Sequence, residues 1–168
     1  IIMAVDAPAV ILKTVNGGAS WVKVFEDNRD GMFLDALYFN GRHGVVVGDP
    51  IAGKPFLAQT NDYGDTWELI NSPTACFQMQ EGEAFFAASG SNIQLIKSGD
   101  QIRSLFVSGG IRSRIFYNET CWLLPLQSGK SYTGANGIAF SDKHKRGVVV
   151  GGDFSDAKRT DSAMVFFE

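Results

Sequence analysis

Gly48–Pro55, GDPIAGKP, has the glycine and lysine spacing of a loop that cradles phosphates with backbone N–H groups. Such a loop needs a hydroxyl after the lysine to hold a metal ion, and Pro55 stands there instead. The next residues, PFLAQT, read as a strand rather than as the helix whose N-terminus would hold phosphate. A glycine-rich hairpin loop is therefore expected. Gly129-Lys130-Ser131 fails too, because Leu124 stands where the leading glycine belongs. The densest polar cluster is Thr60–Trp67, TNDYGDTW. Asp62 suits acceptance of backbone N–H bonds, Gly64 a positive φ, and Thr66 a further hydroxyl bond. These are the parts of a tight hairpin, with Trp67 expected to be buried against the neighbouring hairpin.

Few other residues have the types or spacing of a reaction centre. Cys76 and Cys121 are too few for a disulfide framework or a zinc site, so two independent thiols are expected. His43 and His144 follow charged or polar turn segments and are expected at the surface. Asn118-Glu119-Thr120 is a formal glycosylation sequon, read as chance. No dinucleotide-binding glycine motif, C-x-x-C or H-x-x-x-H occurs, so neither metal nor organic cofactor is expected. The 168 residues are 45% hydrophobic and 20% charged, enough to bury the core of one folded domain. A formal charge of -3 gives no basic footprint for nucleic acid. No apolar run approaches the roughly 18 residues of a membrane helix.

The elements that must position these residues follow from internal repetition. Thr14–Trp21 (TVNGGASW) and Thr60–Trp67 share T-x-[ND]-x-G-x-[ST]-W, with their tryptophans 46 residues apart. GVVVGDP at Gly44–Pro50 recurs as GVVVGGD at Gly147–Asp153, with SLFVSGG at Ser104–Gly110 as the expected middle copy. Short β-rich runs separated by Gly, Asn, Asp and Ser predict an all-β chain. From Gly31 to Ile70 four strands are expected: FLDALYF, HGVVVGD, PFLAQT and TWELI. One four-stranded antiparallel sheet in roughly 40 to 50 residues is the period of a β-propeller blade.

The same template predicts a second complete blade from EAFFAAS through RSLFVSG and SRIFYN to CWLLPL, where Trp122 follows a turn, NETC, that lacks Gly and Asp. The expected boundaries are a partial blade at 1–30, complete blades at 31–73 and 81–127, and a partial blade at 134–168. A ring needs about four to eight blades, so a fragment of a larger propeller is expected, with association through open blade edges.

The octapeptides resemble the Asp-box, or BNR repeat, S-x-D-x-G-x-T-W, of the sialidase-like β-propellers. Asp62, Gly64, Thr66 and Trp67 match it, with Thr60 in place of Ser, and Asn16, Gly18, Ser20 and Trp21 match more loosely. The resemblance implies that the box lies on the hairpin between the third and fourth strands, away from the catalytic face. Strand rhythm is also similar to the bacterial relatives of the photosystem II assembly factors, which implies a non-catalytic assembly or interaction role. Sialidases require an arginine triad, a tyrosine nucleophile and usually an F-R-I-P segment. Ser113–Tyr117, SRIFY, keeps Arg-Ile but has Phe in place of Pro.

The face opposite the box is where ligand-binding residues are then expected. It should hold Asp6, Arg29, Asp30, Asp49, Lys54, Glu81, Glu83, Arg112, Arg114, Lys130, Tyr132, Asp153, Asp156, Lys158 and Arg159. Both charge signs meet there, and Arg112 and Arg114 suit carboxylate or peptide recognition. The expected function is a non-catalytic platform for a protein or carbohydrate partner, in a periplasmic or extracellular setting, with no catalytic residue assigned. The alternative is a glycoside hydrolase with catalytic carboxylates partly outside this chain.

Overall fold

The computed structural model describes residues 1–4, 6–156 and 158–168, and within them the chain is all-β. Its helical content is two three-residue 3-10 turns, Ala75–Phe77 and Ala87–Ser89. β1 (Ile2–Met3), β2 (Ala9–Lys13) and β3 (Val22–Asp27) form a three-stranded sheet in chain order. β4 (Leu34–Asn40), β5 (His43–Ile51), β6 (Lys54–Thr60) and β7 (Glu68–Leu69) form the next, also in chain order, at the four strand positions read between Gly31 and Ile70.

The remaining strands are β8 (Glu83–Ala84), β9 (Ile93–Ser98), β10 (Gln101–Gly110), β11 (Arg114–Tyr117), β12 (Thr120–Leu123), β13 (Thr133–Ser141), β14 (Arg146–Asp153) and β15 (Met164–Phe167). They make one eight-stranded sheet along β12-β11-β10-β13-β14-β15, with β8 and β9 also paired to β10. The two halves of this sheet, expected to be separate, meet at one β10–β13 pair, Gly109 with Gly134, and at a parallel bridge between Ser91 and Gly137. Glycine is what permits that approach: a Cβ on Gly134 would lie 2.6 Å from the Gly109 Cα.

EAFFAAS is not the continuous strand that its composition predicts. Only Glu83–Ala84 pairs with β10, and the ladder resumes at Ile93 opposite Phe106. Residues 85–92 break the regular pairing with β10, with Ser91 bridging Gly137 instead, because Phe85 turns into the core while the buried Asn92 amide closes the excursion on the Phe86 carbonyl at 3.2 Å. The two cysteines correct the expectation of independent thiols. Cys76 and Cys121 form a disulfide, Cα to Cα 5.6 Å, that ties the 3-10 turn after β7 to β12. Forty-five positions separate them in sequence, so only the stacking of two sheets brings them together.

Packing explains the repeated valine runs. Successive side chains of a strand point to opposite faces. In β5, Val45 and Val47 enter a core with Ala36, Leu57, Phe77, Phe106 and Phe116, while Val46 enters another with Ile11, Met32, Leu34 and Ala58. In β10, Phe106 joins the first of these cores, and Leu105 and Val107 join a third with Ile138 and Val149. A central strand covered on both faces has no polar side to alternate with, hence VVV. β14 departs from this: Val149 is buried, but Val150 shares an uncovered face with Met164 and Phe166.

The two octapeptide turns share the same backbone-to-side-chain bonds, differing where the Asn16 amide donates to Ser20 Oγ at 2.8 Å while the Asp62 carboxylate accepts from Thr66 Oγ1. Thr60 Oγ1 accepts from Gly64 N at 2.9 Å and donates to Asp62 Oδ1 at 2.7 Å. Asp62 Oδ1 accepts from Thr66 N at 3.0 Å, and its Oδ2 accepts from Thr66 Oγ1 at 2.6 Å. Thr14, Asn16, Gly18 and Ser20 repeat the pattern, with Gly18 N donating to Thr14 Oγ1 and Ser20 N to Asn16 Oδ1, both at 2.9 Å. The Thr66 hydroxyl and N–H hold Asp62 well below the ordinary carboxylate range. Trp67 is only partly buried, edge-on to Phe39 at 6.0 Å, and Trp21 and Trp122 are exposed. The turns are therefore clasped by hydrogen bonds, not by a deeply buried tryptophan.

Thr60 is 2% exposed, and its hydroxyl serves two of these bonds and accepts a third, from Asp62 N at 3.4 Å. Thr60→Val keeps its shape and strands its partners, so a loss of roughly 2 kcal/mol is expected by chemical denaturation. Thr60→Ser should recover most of it.

Candidate functional site

The β3–β4 connection, the end of β5, the start of β8 and the β12–β13 connection bring several of the predicted residues together in two groups. Asp49, Glu81 and Glu83 line an open cleft of about 480 Å³ with Gly31, Gly53 and Gly82. Lys130, Tyr132 and Asp153 form the second group. Lys130 Nζ lies 5.3 Å from the centre of the Tyr132 ring and 3.9 Å from Asp153 Oδ2. Asp153 is held below its ordinary range first by the Ser155 hydroxyl, 2.6 Å away.

Two phenylalanines that were not predicted complete this second group. Phe154 is 74% exposed and packs edge-on against Tyr132 at 5.6 Å and against Phe86 at 6.4 Å. The excursion over residues 85–92 makes this possible, since it carries Phe86 out of the sheet plane. It is tied down on both sides. Phe85 N donates to Asp49 Oδ1 at 2.9 Å, and Ile138 N donates to Ser91 O at 2.9 Å.

Glu83 and Arg114 are not free to meet a ligand. Arg114 is 6% exposed and grips Glu83 with both arms, Nε to Oε1 at 2.6 Å and Nη2 to Oε2 at 2.9 Å. Its Nη1 donates to Cys76 O at 2.8 Å, and its plane lies over Phe116 at 4.6 Å. Ser108 Oγ donates to Glu83 Oε1 at 2.6 Å. This pair is a clamp between β8, β11 and the disulfide-bearing segment. Bidentate geometry and saturated donors are the conditions under which a buried ion pair is tolerated.

The other predicted residues lie apart. Arg29 pairs with Asp27, Nη2 to Oδ2 at 2.6 Å, and lines a separate cleft with Lys54. Asp30, Arg112, Asp156 and Lys158 are exposed on connections, Asp6 accepts from Ala7 N, and Arg159 pairs with Asp161.

The chemically strangest group is Asp35, also not predicted. It occupies a bulge in β4, is 1% exposed, and neither carboxyl oxygen has a hydrogen-bond partner. Burial, reinforced by the Asp49 charge, pushes its carboxyl up to about 8; the nearby Ala87 and Asp49 N–H groups offset this only in part and without hydrogen-bond geometry. Burial also raises Asp49, opposed by the Phe85 N–H. A charged residue inside the apolar run FLDALYF was the one sequence signal for Asp35.

Two outcomes follow. The unfolded chain releases the Asp35 proton near 3.8, the native chain only near 8. This group's stabilising contribution is thus complete below the lower value and is lost at about 1.4 kcal/mol per pH unit up to the upper one. Asp35→Asn should therefore raise stability at pH 8 and flatten the pH 4–8 profile of the melting temperature. Glu83→Gln, in contrast, leaves the Arg114 charge buried without its counter-ion and should cost about 3 kcal/mol in urea denaturation.

Comparison of the chain with protein-family models, curated proteins and solved structures gave no match, so the functional reading rests on the site alone.

Proposed function

We propose that this chain is part of an Asp-box β-propeller that serves as a non-catalytic platform, taking a protein or carbohydrate partner on the face opposite the Asp-box turns. The reading of the architecture is supported by two octapeptide turns that share the same backbone-to-side-chain bonds and by cores between successive groups of strands. The kinship in strand rhythm with assembly-factor-like repeat proteins belongs to the same proposal. So does an exported location, which the Cys76–Cys121 disulfide supports because such bonds persist in oxidising compartments.

The observation that carries the platform reading is the aromatic and charged group at Phe86, Lys130, Tyr132, Asp153 and Phe154. A phenyl ring 74% exposed, held in place by two other rings and beside a lysine and a buried carboxylate, is the anatomy of a binding anchor with a polar rim. The glycosidase alternative needs two carboxyl groups facing a sugar across a cleft. Asp35 is sealed from solvent and Glu83 is locked to Arg114, which favours the platform.

Screening the chain on glycan and peptide arrays tests this. Ligands are expected whose affinity falls at least about tenfold in Phe154→Ala with the fold intact. Absence of any ligand, or ligands indifferent to Phe154→Ala, Tyr132→Ala and Lys130→Ala alike, would sink the proposal.

A further inference from the structure

Two clefts of about 590 Å³ each open between successive layers of strands, and their linings tell them apart. The cleft between β4–β7 and β9–β12 is rimmed by Gln59, Asn61, Asn71 and Asn118, a lining that water satisfies. The cleft between β9–β12 and β13–β15 is faced instead by Ile96, Ile115, Tyr117, Trp122, Phe140 and Phe167. Close-packed interiors leave few voids larger than a water molecule, so an apolar cleft of this size points to an occupant.

Both walls are held in place by the fold. Residues opposite one another on paired strands share a face, so Trp122 stands beside Ile115 on the first wall. On the second, Phe140 and Phe167 stack at 5.8 Å across Gly147, where a Cβ would overlap the Phe167 ring. A seam from β9 to β13 ties the walls together. The Gln94 side chain donates to Phe140 O at 3.0 Å and accepts from Phe140 N at 2.8 Å, and Lys97 N donates to Asp142 Oδ2 at 3.3 Å. The cleft is therefore preformed.

Its polar groups select the head of the ligand. Glu168, the one carboxylate in the lining, is engaged by Arg146 at 2.9 Å. Lys97 forms no ion pair among the described residues, and Lys145 reaches Asp142 only at 3.9 Å. Trp122 adds an indole N–H, which can only donate, and Tyr117 a hydroxyl. We propose that this cleft binds a single-chain amphiphile with an anionic head, of the fatty-acid type. The alkyl chain lies between Trp122 and the Phe140–Phe167 pair, and the carboxylate faces Lys97 and Lys145. A cationic head would meet uncommitted ammonium groups instead. β14 starts at Arg146, next to Lys145, and ends at Asp153, next to Phe154, so this site lies at the far end of the strand from the platform group and does not depend on it.

Isothermal titration calorimetry of the whole chain with octanoate, decanoate and dodecanoate, each below its micelle-forming concentration, tests the assignment. One ligand per chain is expected, with affinity rising about fourfold per added methylene. Dodecyltrimethylammonium should bind at least about tenfold more weakly than dodecanoate, by a margin that shrinks with added salt. Trp122 is 55% exposed, so its truncation leaves the fold intact, and Trp122→Ala should weaken dodecanoate at least about tenfold. Lys97→Gln combined with Lys145→Gln should erase the preference for the anion and keep the dependence on chain length. Lys130→Gln, at the other end of β14, should change nothing.

Equal binding of the anionic and cationic amphiphiles, no binding below the micelle-forming concentration, or an affinity that survives Trp122→Ala in a folded protein overturns the proposal. So does binding to phosphatidylglycerol vesicles where the free carboxylates fail, because the cleft then belongs to a membrane-docking face. Loss of dodecanoate binding in Phe154→Ala would place the amphiphile at the opposite end and refute it as well.

Discussion

Burial of both faces of the central strands is the constraint from which the rest follows. β5 and β10 send alternate residues into different cores, so neither can be stable in an isolated sheet. Each central strand requires a layer on either side, and the chain supplies them in order. Phe106, fully buried and stacked on Phe116 at 4.5 Å with the rings nearly parallel, sits where two such layers meet. Removal of large apolar area from water drives this stacking, and the disulfide and the Arg114–Glu83 clamp then fasten the layers laterally.

That stacking also creates the electrostatic problem in the molecule. Packing one layer on another carries Glu83, Asp35 and Asp49 into low-dielectric surroundings, where a charge must be paired, hydrogen-bonded or neutralised. Glu83 is paired by Arg114 and bonded by Ser108. Asp49 gets one backbone donor, and Asp35 gets none with hydrogen-bond geometry. The unequal treatment of three carboxylates within one region separates a structural clamp from groups held at a cost, and groups held at a cost mark functional sites more often than clamps do.

The 85–92 excursion couples fold and site. By leaving the ladder between Ala84 and Ile93 it forfeits part of the pairing with β10. In return it caps Asp49 through Phe85 and brings Phe86 to Phe154. One irregular segment thereby connects an acidic cleft to an aromatic surface across two layers.

Residues within eight positions of one another decided what could be read from sequence alone. The octapeptide turns are local hydrogen-bond circuits, so Thr60, Asp62, Gly64 and Thr66 predict their own geometry. Valine runs bounded by glycine predict strands for the same local reason, but not their cover, since Val45–Val47 are buried on both faces and Val150 is exposed. Lys130, Tyr132 and Asp153 were legible as members of one face, yet their meeting with Phe154 was not. Tertiary structure alone decided that Cys76 meets Cys121, that Arg114 is consumed by Glu83, that EAFFAAS breaks, and that Asp35 is sealed beside Asp49. Each of these depends on which layers come to face one another, and burial and charge pairing are properties of that meeting, with no trace in the spacing of residues along the chain.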